Sequence, residues 1–75
     1  MLQLEEVGVT YMGIECWTVK ELSIEKGISR STIRSWIRRT IENKLDMPFF
    51  ESPVVKGRYY IPKDSFEEWY SYIQN

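Results

Sequence analysis

The stretch "TVKELSIEKGISRSTIRSWIRR", residues 18–39, constrains the fold of this chain most, because it contains two helix starts separated by a helix stop. Thr18 can accept a hydrogen bond from the backbone three residues on, and Glu21 can reach back, which makes a capping box. Trp17 before the cap and Leu22 after it have the spacing of a hydrophobic staple. These signals predict a helix over about 19–26. Gly27 then supplies a permissive backbone for a sharp exit, Ile28 is apolar, and Ser29 is a fresh N-cap. Two helices joined by a short glycine-containing turn form a helix-turn-helix.

In the second helix, at about 100° per residue, Ile33, Trp36, Ile37 and Ile41 fall on one stripe, and the pattern carries on to about Lys44 before "LDMP" ends it. Ser31, Arg34, Ser35 and Arg38 gather on the opposite side, with Arg30 and Arg39 flanking them. The helix is therefore expected to bury isoleucines and present guanidinium groups.

Further on, "PVVKGRYYIP" sets Val54-Val55 and Tyr59-Tyr60-Ile61 around a Lys56-Gly57-Arg58 tip. These runs predict a hairpin whose turn uses Gly57 at positive φ and exposes two cations. Tyr59 and Tyr60 must point to opposite faces, which predicts one in the core and one exposed. Pro62 closes the strand. Asp64 and Glu67 resemble a second capping box, and Phe66, Trp69, Tyr70 and Ile73 follow at helical spacing, so a third helix is expected over about 65–73. Alternating Val7, Val9 and Tyr11 suggest an N-terminal strand that pairs with the hairpin.

At 75 residues the chain is expected to form one domain, residues 1–75, with a small core in which Trp17, Trp36 and Trp69 do much of the packing. Cys16 is the only cysteine and histidine is absent, which removes an intramolecular disulfide, zinc-finger patterns and most nucleophile or metal constellations. Cys16 itself reads as a small, partly buried residue. Asp64, Glu67 and Glu68 sit at a helix start, where acids complement the macrodipole, so they are not read as an acid-base pair. With no glycine-rich phosphate loop either, the expectation is a protein without enzymatic activity and without a cofactor or metal. The absence of a basic-then-apolar leader and of a long apolar run predicts a cytoplasmic protein.

The formal net charge of -1 hides a strong asymmetry. Residues 1–29 carry two Lys and five Glu, residues 30–63 carry eight Lys or Arg against three acids, and residues 64–75 carry three acids. Four arginines lie within residues 27–39 alone. A compact basic block gains affinity for DNA by releasing condensed counterions, whatever the net charge of the whole chain. On an exposed helix in the major groove, Arg can grip guanine and Ser can bond a base edge or a phosphate. The candidate DNA-binding residues are Arg34 and Arg38 for base edges or adjacent phosphates, Ser31 and Ser35 for shorter contacts, Arg30 and Arg39 for the backbone, and Lys56 and Arg58 for a flanking minor groove or phosphate.

The order helix, turn, basic helix, basic-tipped hairpin and closing helix resembles the excisionase-like and MerR-like small winged-helix proteins of phages and mobile elements. The resemblance is carried by "TVKELSIEKGISRSTIRSWIRR" and by "KGRYYIPKDSFEEWY", and covers roughly residues 17–73. The segment "TIENKLDMPFFESP" is longer than the family has between recognition helix and wing, and Lys26 stands where an apolar residue is usual. The resemblance implies an α+β fold: a small winged helix-turn-helix with a two-stranded wing, a closing C-terminal helix and a candidate N-terminal strand. It also implies an excisionase, which binds attachment-site DNA beside a tyrosine-type integrase and neighbouring copies of itself, bends the duplex and directs recombination towards excision. The acidic, aromatic "DSFEEWYSYIQN" is a candidate surface for such contacts. Alternatives are a small transcriptional regulator or phage packaging subunit of the same fold, and a protein-interaction module whose arginines meet an acidic partner.

Overall fold

A computed structural model describes residues 9–74 and gives a small α+β fold of three helices and a four-stranded antiparallel sheet. The elements run β1 (Val9–Tyr11), β2 (Ile14–Thr18), α1 (Val19–Lys26), α2 (Arg30–Ile41), β3 (Phe50–Glu51), β4 (Tyr59–Pro62) and α3 (Lys63–Gln74). The sheet order is β1-β2-β4-β3. Met12 and Gly13 both have positive φ, 54° and 80°, as a two-residue hairpin turn between β1 and β2 requires.

Strands β2 and β4 pass into helices without a connecting residue. Thr18 is the last residue of β2 and also the N-cap of α1, because its extended backbone (φ −79°, ψ 170°) suits both roles. The capping box forms as expected: Glu21 N–H donates to Thr18 Oγ1 and Thr18 N–H donates to Glu21 Oε1, each at 3.1 Å. Gly27 ends α1 at φ 67°, and Ile28 N–H donates back to the Ser23 carbonyl at 3.2 Å. Ser29 then caps α2, accepting from Thr32 N–H at 3.2 Å.

Helix α2 stops at Ile41 rather than near Lys44. Asn43 takes a left-handed φ of 63°, Asn43 N–H donates to Thr40 O at 3.0 Å, and Lys44 N–H donates to Arg39 O at 2.8 Å. This is a complete Schellman ending, which satisfies the carbonyls that further turns would have used. The connection that follows is tied down in three places. Thr40 Oγ1 donates to Trp36 O at 2.8 Å and accepts from Met47 N–H at 3.2 Å; Trp69 Nε1 donates to Asp46 Oδ1 at 2.9 Å. Met47 is buried in the core.

The core takes Val19 and Leu22 from α1, Ile33 and Ile37 from α2, Met47, Ile61 from β4, and Phe66 and Trp69 from α3, with Trp17 and Trp36 packed against it. Trp36 and Trp69 meet edge to face at 5.5 Å between ring centroids. Ile41 and Ile73 do not reach this core and are 58% and 45% exposed, since each lies at the end of its helix beyond the neighbouring elements. Cys16 is fully rather than partly buried.

The hairpin differs from expectation. Phe50 and Glu51 pair with Tyr60 and Tyr59, whereas Val54 and Val55 lie in the turn. The strand partner is displaced because the first hairpin strand needs side chains to pack, and Phe50 supplies one by stacking near Tyr11 at 5.1 Å. Tyr59 and Tyr60 do take opposite faces, but both are half-buried: Tyr59 packs on Phe49 at 5.5 Å on the core side, and Tyr60 on Tyr11 at 5.4 Å on the other. Strand β1 pairs with β2 and not with the hairpin, and Val7 lies outside the described residues. Helix α3 begins at Lys63, two residues early, and Glu67 forms no capping box; it grips Lys26 Nζ through both carboxylate oxygens at 2.8 and 2.7 Å. Lys26 also stands 5.8 Å from the centre of the Trp17 ring, and Lys63 stands 5.7 Å from it. The Lys26 charge is thereby compensated and its stem lies against the Trp17 ring.

Two consequences are measurable. Ile37→Ala should destabilise the protein by about 2–5 kcal/mol, whereas Ile41→Ala should stay within about 0.5 kcal/mol, in chemical denaturation; equal effects would mean that α2 is rotated or longer. Burial pushes the Cys16 thiol up, opposed by a backbone hydrogen bond involving Tyr11 and by the Lys63 charge. The folded state then keeps the thiol proton to higher pH than the unfolded chain, so this contribution is intact below the ordinary thiol value and is lost as pH rises through it towards the folded one. Unfolding titrations between about pH 8 and 10 should show a smaller loss of stability in Cys16→Ala than in the wild type.

Candidate nucleic-acid interface

The polar side of α2 follows from its buried side. With Ile33 and Ile37 one turn apart against the core, Arg30, Arg34 and Arg38 form an exposed row along the helix, about 6 Å of rise between neighbours. Ser31 is exposed beside the row, and Ser35 is half-buried. Arg39 is exposed but lies about 140° around the helix from Arg34, so it belongs to a different side.

Three parts of the chain meet at Arg34. An open groove of about 630 Å³ runs between the first turn of α1, the middle of α2 and the β3–β4 loop, and its lining includes Lys20, Arg34, Lys56, Arg58 and Tyr60. The structure thus brings Arg34 together with Lys56 and Arg58, which lie more than twenty residues further along the chain. Arg30, Ser31, Ser35, Arg38 and Arg39 do not line this groove. Arg30 and Arg38 extend the same row on either side of it, Ser31 is near its start, and Arg39 stands apart.

Lys20 is the residue that sequence reasoning passed over. A signal was present, because a cation in the first turn of a helix opposes the macrodipole and acids are preferred there. Its position is locally unfavourable, and the fold sets it at the groove with Arg34, Lys56 and Arg58.

Among the described residues no acid forms an ion pair with a cation of the groove. The ion pairs among the described residues are Lys26 with Glu67 at 2.7 Å and Lys44 with Glu42 at 3.7 Å, neither of them at the groove. Lys20, Arg30, Arg34, Arg38, Arg39, Lys56 and Arg58 therefore have no ion-pair partner among the described residues. Like charges lining one concavity sum to a positive potential that concentrates anions there. Among the described residues no group of three or more His, Cys, Asp or Glu side chains could hold a metal ion, and no helix is long and apolar enough to cross a membrane.

The geometry is suited to an extended polyanion: a row of guanidinium groups on a helix, with a second cationic element across a groove from it. Compared with protein families, with curated proteins and with solved structures, the chain matches none.

Proposed function

We propose that this chain is a duplex-DNA-binding domain of the winged helix-turn-helix type, with α2 as the recognition helix and the β3–β4 hairpin as the wing. The observation that carries the reading is the convergence of Lys20, Arg34, Lys56 and Arg58, unpaired among the described residues, on one open groove. A helix of twelve residues is about 18 Å long, enough to lie in a major groove about 12 Å wide and meet several base pairs. Arg34 and Arg38 then face base edges or the nearest phosphates, Ser31 and Ser35 make the shorter contacts, and Arg30 holds the backbone, while Arg39, on a different side of α2, lies outside this contact. Lys20, Lys56 and Arg58 hold the phosphates flanking α2.

At the finer level we propose an excisionase, or recombination directionality factor, supported by the resemblance of residues 18–39 and 56–70 to that family. Bending a site of 20–30 base pairs requires on the order of 1–6 kcal/mol. A domain this small would meet that requirement together with neighbouring copies or an integrase, and the exposed Asp64, Glu68 and Tyr72 of α3 are available for such contacts.

Fluorescence-anisotropy titrations against duplex DNA at several salt concentrations test the reading. The logarithm of affinity should fall linearly with the logarithm of salt, by about 0.9 for each phosphate neutralised. Arg34→Ala should lose about 1–3 kcal/mol and relax sequence preference if Arg34 reads a base. Lys20→Ala and Lys56→Ala should each weaken all sequences alike and lower the salt slope by about 1. Weak binding indifferent to salt and to Arg34→Ala would reject the proposal and leave the arginines to an acidic protein partner.

A further inference from the structure

The loop between β3 and β4 carries an exposed aliphatic side chain beside its two cations. Val54 is 86% exposed, the most exposed of the large hydrophobic side chains among the described residues. It does not sit on a loose tip. Ser52 Oγ accepts from Val54 N–H at 3.1 Å and from Val55 N–H at 3.0 Å. Ser52 N–H donates to Arg58 O at 2.8 Å and Arg58 N–H donates to Val55 O at 3.2 Å, closing the loop at its base and around Gly57, whose φ is 83°. Pro53 removes a further backbone freedom. These bonds brace the loop internally, and it holds an aliphatic side chain in water.

The same loop says what the valine is presented to. Lys56 and Arg58 line the cationic groove with Lys20 and Arg34, so any polyanion held there is held against this loop. Phosphates offer nothing to a valine. A duplex, however, places an apolar base stack directly behind its phosphates, open to a side chain delivered through the minor groove. Cations that grip the backbone beside an apolar wedge that separates two stacked pairs are the combination by which proteins kink DNA.

We propose that Val54, braced by Pro53 and Ser52, is a wedge that enters a base step of the bound duplex and kinks it while Lys56 and Arg58 hold the adjacent phosphates. This rests on the duplex-DNA reading above. The kinked step lies beside the α2 contact rather than within it, since Val54 stands on the loop outside the groove that Arg34, Lys56 and Arg58 line. Pyrimidine–purine steps, TA and CA/TG, unstack most readily, so they are favoured at that position without any base-specific hydrogen bond.

The test uses the full chain and duplexes it enriches from a random pool, labelled at both ends for energy transfer, with permanganate reporting unstacked thymines. The wild type should shorten the end-to-end distance and make thymines at one step reactive. Val54→Ser, at an exposed position that leaves the fold intact, should keep salt-dependent affinity within about threefold yet lose both signals, and Val54→Phe should strengthen them. Wild-type binding without a bend, or undiminished bending and thymine reactivity in Val54→Ser, would overturn the wedge while leaving DNA binding in place. If the wild type retains no duplex in a salt-dependent way, the DNA reading itself fails and the wedge falls with it.

Discussion

The β2–β4 ladder is the constraint on which the rest of the fold depends. Cys16, Trp17 and Thr18 pair with Pro62, Ile61 and Tyr60. Because α1 starts at the residue after Thr18 and α3 at the residue after Pro62, the register of this pair sets where both helices leave the sheet. A one-residue slip would turn Trp17 and Ile61 away from the helices and would displace the first turn of each. Trp17 then serves as a hub, edge-on to Phe66 at 6.0 Å and flanked by the Lys26 and Lys63 ammonium groups.

That frame divides the cations into two groups by environment. Lys26 lies between Glu67 and Trp17, where its charge is compensated and its stem covers apolar surface, so it belongs to the packing of α1 on α3. Lys20, Arg34, Lys56 and Arg58 are brought to one groove with no acid paired to them among the described residues. Exposed ion pairs contribute little to stability, so leaving these residues unpaired costs the fold little while preserving a positive surface. The basic block in the middle of an acidic chain is thus a local feature with a local geometry.

The connection after α2 shows how an unusual length is absorbed. Residues 42–49 make no regular element, yet Met47 fills the core, Asp46 accepts from the Trp69 indole, and Thr40 bonds the Met47 backbone. Anchoring at both α2 and α3 delivers Phe50 to the edge of β4, and the loop beyond it comes to face Arg34. The placement of the 52–58 loop therefore depends on a segment whose sequence carries no periodicity.

How much was legible in the sequence follows the range of each interaction. The capping box at Thr18 and Glu21, the Gly27 exit, the Ser29 cap and the inward face of Ile33 and Ile37 are contacts within about one helical turn, and side-chain type and spacing determine them. The basic row on α2 was readable for the same reason. The sequence did not disclose β2, because a strand that runs straight into a helix has no turn residues to announce it. Nor did it place the hairpin partner at Phe50, since Val54-Val55 had the better strand propensity and only packing against Tyr11 and Tyr60 favoured Phe50. Lys20 and the grouping of Arg34 with Lys56 and Arg58 likewise required tertiary structure: charges far apart along a chain become neighbours through strand register and loop anchoring, which local patterns do not encode.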